Sequence, residues 1–121
     1  MARRDITGAV NFRHLESFAA GDQQVVDEVL ELFREQAAMW VRLLDPAAEG
    51  WRDAAHSLKG SALGVGAFAL ADECEVAERA ERMEDRILLA VSIRDAIEAA
   101  LADIAAYAHE QALRSLKTPR A

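Results

Sequence analysis

The chain has 121 residues, 52% of them hydrophobic and 29% charged, with a formal charge of −7 at neutral pH. That length suits one domain able to bury roughly two thirds of its unfolded surface; only two prolines and six glycines exclude a disordered or turn-rich chain, and an acidic balance without clustered Lys or Arg argues against a nucleic-acid partner. A lone cysteine, Cys74, forms no internal disulfide, and no apolar block matches a signal peptide or a bilayer span, so a cytoplasmic protein without membrane attachment is expected.

The stretch NFRHLESFA predicts a short N-terminal helix with Phe12, Leu15 and Phe18 against the body, after a frayed segment 1–10. Val26, Leu30, Phe33, Ala37, Trp40 and Leu44 then alternate at spacings of four and three, the stripe of a packed helix that Asp22 caps and Asp45-Pro46 ends. A third stripe runs through Trp51, Ala54, Leu58, Ala62 and Val65 until Gly64 and Gly66 interrupt it. From about Ala67 to Met83, Leu70, Cys74, Ala77 and Ala80 share one side. The last long helix is expected from near Arg86, with Ile93, Ile97, Leu101, Ile104 and Ala108 inward and 117–121 as a loose end. Short connections make consecutive helices run oppositely, so the expectation for residues 1–121 is a single all-α domain: an antiparallel four-helix bundle with a short additional N-terminal helix. Phe33, Trp40 and Trp51 fill its wider layers, and no wide apolar face is left over for a dimer, which favours a monomer.

The segment HSLKG, residues 56–60, stands out on the third helix. With His56 at zero and 100° per residue, Gly60 falls at about 40°, Lys59 at about −60° and Leu63 at about −20°, opposite the buried stripe. His56 is therefore expected in solvent. A mid-helix glycine costs about 1 kcal/mol relative to alanine; because helical side chains lean toward the N-terminus, Gly60 leaves the ring at 56 uncovered. Lys59 adds a flexible cation that attracts an anion. A bare imidazole beside an ammonium suits acceptance of a phosphoryl group, since histidine is nucleophilic near neutral pH.

The run AAHSLKGSALGVGAFAL resembles the phosphorylation helix of histidine-containing phosphotransfer (HPt) domains, roughly A-H-x-L-K-G-[SA]-[SA]-x-x-[hydrophobic]-G, met by Ala55, His56, Leu58, Lys59, Gly60, Ser61, Ala62, Val65 and Gly66. It extends through LADECEVAE to Glu78, where Ala77 stands in place of a frequent leucine. The resemblance implies a phosphocarrier rather than an enzyme. It takes a phosphoryl group on the Nε2 of His56 from the aspartate of one response-regulator receiver domain, as on a hybrid histidine kinase, and passes it to another. It also implies no cofactor on this chain, the magnesium residing on the receiver. The absence of a Gly-x-x-x-x-Gly-Lys-[Ser/Thr] loop agrees. The alternative is a non-catalytic helical interaction module, which loss of the histidine or of Gly60 would have signalled.

Around this motif, Glu78 is the candidate to orient the imidazole, because a turn centred near Ala67 sets 56 and 78 at equal height on antiparallel helices. Its carboxylate would accept the Nδ1 proton and leave Nε2 free. Glu75, one turn earlier and nearer Lys59, competes, and simple solvation of both acids is the third possibility. Leu63 reads equally as a partner-docking residue or a harmless exposed leucine. His14 and His109 are ordinary surface histidines, Cys74 a small core residue, and no metal site is expected because Glu-x-x-His pairs are absent.

Overall fold

The structure, a computed structural model, describes residues 7–117. Its five helices are α1 (Phe12–Phe18), α2 (Gln23–Leu43), α3 (Trp51–Val65), α4 (Phe68–Arg79) and α5 (Met83–Lys117), with no strand among the described residues. None of these helices is long and apolar enough to cross a membrane.

Local chemistry sets the boundaries. The Asp22 carboxylate accepts from the amides of Gln24 and Val25, satisfying donors that the first turn of α2 leaves open. Asn11 does the same for α1 through the His14 amide. Helix α3 ends at Gly66 in the left-handed conformation, φ 86°, with the Ala67 amide reaching back to the Ala62 carbonyl at 2.8 Å. Gly64 lies inside the helix and does not break it; the stop is Gly66 alone. The α4–α5 break falls at 80–82, so α5 begins at Met83 rather than near Arg86, and Ala80 is a half-buried cap.

Helices α2 to α5 form the antiparallel four-helix bundle, and α1 packs on α2 and α3. The directions of two pairs, α3 with α4 and α2 with α5, follow from named contacts. Trp51 at the start of α3 donates its Nε1–H to the Ala77 carbonyl at the end of α4, at 2.7 Å. Gln23, opening α2, donates to the Tyr107 hydroxyl near the end of α5, whereas Arg86 at the start of α5 reaches the Pro46 carbonyl just past α2. Phe33, Trp40, Trp51, Leu58, Leu70, Ile93 and Ile97 fill the core. Burying one such side chain contributes about 1.5–3 kcal/mol, and the alanines between them let α3 and α4 approach more closely along their length than any other pair of the described helices.

Four expectations about packing change. Phe18 is 81% exposed: steps of three drift by about −60° each, so the third residue of the Phe12, Leu15, Phe18 series has rotated off the buried face. Residues 7–10 are not frayed, because Asp103, fully buried on α5, accepts from the amides of Thr7, Gly8 and Val10 and from the Thr7 hydroxyl; the rest of the stretch expected to fray, 1–6, lies outside the described residues, as do 118–121, while Lys117 is helical. On α5, Ala108 is exposed, Leu101 half-buried and Tyr107 buried, since residues 7–10 cover Asp103 and α1 covers Tyr107 on a second side of the helix. Tyr107 stacks on Phe12 with ring centroids 4.3 Å apart. Finally, an apolar face does remain outside the bundle, where Met83, Ile87, Leu88 and Val91 of α5 are exposed together with Val76 of α4.

Candidate functional site

Helix α3 buries Ala54, Ala55, Leu58, Ala62 and Val65, which turns His56 outward with its side chain 72% exposed. Gly60, one turn on, is exposed, and a Cβ built there meets nothing within 4 Å. Its backbone is helical without positive φ. Neither packing nor conformation requires this glycine, so its effect is the uncovered surface beside the ring.

The Trp51–Ala77 hydrogen bond and the tight Gly66-Ala67 turn fix the height of α3 against α4. Glu78 consequently faces His56, and its Oε1 pairs with the ring Nδ1. Its other oxygen, Oε2, accepts from Lys59 Nζ at 2.9 Å. Lys59 is half-buried rather than freely exposed, and its ammonium stands 3.9 Å from Glu75, so Glu78 is the principal partner and Glu75 the outer one. The hydrogen bond from Lys59 holds the Glu78 carboxyl below its usual range; desolvation opposes this, and the contact with His56 reinforces it. An ionised carboxylate can only accept, so the Nδ1 of a neutral ring must carry the proton and its Nε2 presents a lone pair to solvent.

An open depression of about 510 Å³ lies at the ring, lined by Arg52, Asp53, His56, Glu78, Arg79 and Glu81. Lys59 does not line it. The two arginines are site residues that the sequence reading missed; Arg52 had a legible signal, its position four residues before His56 on one helix face. Leu63 is 47% exposed on the same face, two turns toward the end of α3. His14 packs edge-on against Phe68 and stays clear of the depression's lining. Cys74 is buried in α4, and burial, with the nearby Glu73 and Glu78, pushes its thiol up to about 12, leaving it protonated and inert. No group of three or more His, Cys, Asp or Glu able to hold a metal occurs among the described residues.

Comparison with known proteins yields a family and a fold. The model of the Hpt domain matches residues 23–107. The crystal structure of histidine phosphotransferase ShpA from Caulobacter crescentus superposes with a TM-score of 0.73 at 58% identity, covering 91% of this chain and all of that one. No curated protein matches.

Proposed function

The chain belongs to the Hpt domain family and is a phosphorelay intermediate of two-component signalling; from that premise we propose that His56 is the residue that carries the phosphoryl group. The observation behind this reading is the contact between Glu78 and the Nδ1 of an otherwise exposed ring. With the proton kept on Nδ1, the Nε2 lone pair attacks the phosphorus of a receiver's aspartyl phosphate. A P–N bond forms, the P–O bond to the aspartate breaks, and the carboxylate leaves with that electron pair. The ring becomes cationic, and the Glu78 carboxylate stabilises it through the retained Nδ1–H. Transfer to a second receiver reverses these bonds. Lys59 assists by holding Glu78 ionised and in place, and Gly60 by leaving room for the incoming aspartate.

Such domains exchange phosphoryl groups with response-regulator receiver domains. A hybrid histidine kinase supplies the donor receiver in this reading, and the magnesium sits on the receiver. The chain acts as a cytoplasmic carrier without kinase activity of its own, residues 1–121 forming one domain, and Leu63 contacts the partner. Mixing the protein with a phosphorylated receiver should give acid-labile label, and His56→Gln should abolish it while leaving the helical circular dichroism unchanged. Continued labelling of that variant would overturn the assignment.

A further inference from the structure

Lys59, the cation nearest His56 in the motif, is hydrogen-bonded to Glu78 and does not line the depression where a phosphoryl group on Nε2 would stand. Two arginines, Arg52 and Arg79, are nevertheless among its lining residues. The guanidinium of Arg79 lies 4.0 Å from Glu75. Arg52 has no hydrogen bond or ion pair within the described residues, and it is exposed on α3 one turn before His56.

Two geometric facts favour Arg52. Residues at i and i+4 of a helix have Cβ atoms about 5–6 Å apart on one face. Helical side chains also lean toward the N-terminus, so the imidazole of residue 56 extends over the turn occupied by residue 52, not over that of Lys59. With Nδ1 tied to Glu78, Nε2 is the remaining ring nitrogen, and a phosphoryl group on it enters a space bounded by Arg52 and Arg79 together with the acids Asp53, Glu78 and Glu81. Unopposed, those acids would repel the dianion. A guanidinium offers paired N–H donors that match two phosphoryl oxygens, and Arg52 is the one in the depression with no carboxylate already engaged.

We propose that Arg52 is the phosphoryl-binding cation of this carrier, closing on the phosphoryl oxygens of phosphorylated His56, with Arg79 as a secondary charge and Lys59 acting through Glu78. The assignment rests on His56 being the phosphoryl carrier. It explains how the chain accommodates a dianion among three carboxylates, and it makes the stored phosphoryl group depend on a residue outside the HSLKG motif.

The test needs no partner. Phosphoramidate, a small phosphoryl donor, is used to label the full chain, and the pH midpoint of the ³¹P signal is followed. Removing a cation a few ångströms away should raise the midpoint by about half a unit in Arg52→Gln. Arg52→Lys, which keeps the charge but loses the paired donors, should fall between the parent and Arg52→Gln, and Arg79→Gln should move it less than Arg52→Gln does. Transfer from a phosphorylated receiver should slow several-fold in Arg52→Gln and recover in part in Arg52→Lys. An unchanged midpoint in Arg52→Gln, or a larger shift in Arg79→Gln, would overturn the assignment and leave the His56 reading standing. Receiver-derived label persisting on His56→Gln would instead remove the reading on which it rests.

Discussion

At the scale of single residues, one carboxylate does two jobs, and pH separates them. Glu78 titrates below its ordinary value in the fold, with the Lys59 hydrogen bond as the largest cause. A carboxyl depressed on folding adds stability at pH above its unfolded value, and that contribution disappears as pH falls through the lower folded value. Lys59→Ala should therefore be less stable than the parent at about pH 7, and the difference should begin to shrink as the buffer enters the ordinary Glu range at about pH 4 and vanish only below the lower value of the folded parent. Urea midpoints at several pH values check this; a gap that stays constant into acid would show that the pair contributes nothing. The same carboxylate sets the ring tautomer, so Glu78→Gln should redistribute the ¹⁵N signals of His56 between its two tautomers. Gly60 behaves differently, being tied to nothing. Alanine there should leave stability equal or raise it by up to about 1 kcal/mol, since helix propensity improves and the added methyl meets no atom. Glutamine at the same position should slow transfer by shielding the ring, and a normal rate would remove steric access as the reason for the glycine.

At the scale of elements, the two glycines near the end of α3 have opposite meanings despite standing two residues apart. Gly64 is helical and exposed, with open space around its Cα, so alanine should stabilise the helix. Gly66 has φ of 86°, and a Cβ there would sit 2.8 Å from the Asn11 carbonyl oxygen. Alanine at 66 should cost at least about 1–2 kcal/mol from the backbone conformation alone. Thermal melts of the two variants should move in opposite directions, and parallel shifts would contradict this account. The sequence did not distinguish these glycines, because they flank Val65, the last residue of the apolar stripe, and only the backbone reveals which one turns. Legibility follows a pattern here. The stripes of α2 and α3 were readable because each buries one face against neighbours of similar kind. Their clarity fixed which side of α3 carries His56, and the symmetric distance from Ala67 fixed the height of Glu78. On α5, the second buried side was hidden, since an acid such as Asp103 gives no apolar signal and its cover comes from residues 7–10, at the other end of the sequence. The lining of the depression was hidden for a related reason: Arg79 arrives from α4, and a charge beside a turn has no periodicity to announce it.

At the scale of the whole molecule, the five helices are held by more than their apolar faces. Asp103 lies within the long helix α5 and is fully buried, yet its partners are amides of residues 7, 8 and 10, at the far end of the sequence. A buried carboxylate costs several kcal/mol in lost hydration unless donors replace the water. Here the Thr7 hydroxyl completes a set of donors around both oxygens. The chain then continues to Asn11, whose amide donates to the Gly66 carbonyl at 2.9 Å, so one strap links α5 to the corner between α3 and α4. Phe12, directly after it, stacks on Tyr107 and secures the same strap to the next turn of α5. Replacing Asp103 by asparagine keeps the size but removes the charge and turns an NH₂ toward amides that can only donate. The loss should be about 2–4 kcal/mol, seen as a lower urea midpoint. Phosphotransfer under folding conditions should be unchanged, because the contact between His56 and Glu78 depends on the α3–α4 register that Trp51 and the Gly66 turn hold. If transfer fell while the urea midpoint stayed at the parent's value, the strap would be acting on the site rather than on the fold. A midpoint equal to the parent's, with transfer equal as well, would mean that the packing of Val10 and Phe12 holds the segment without the carboxylate.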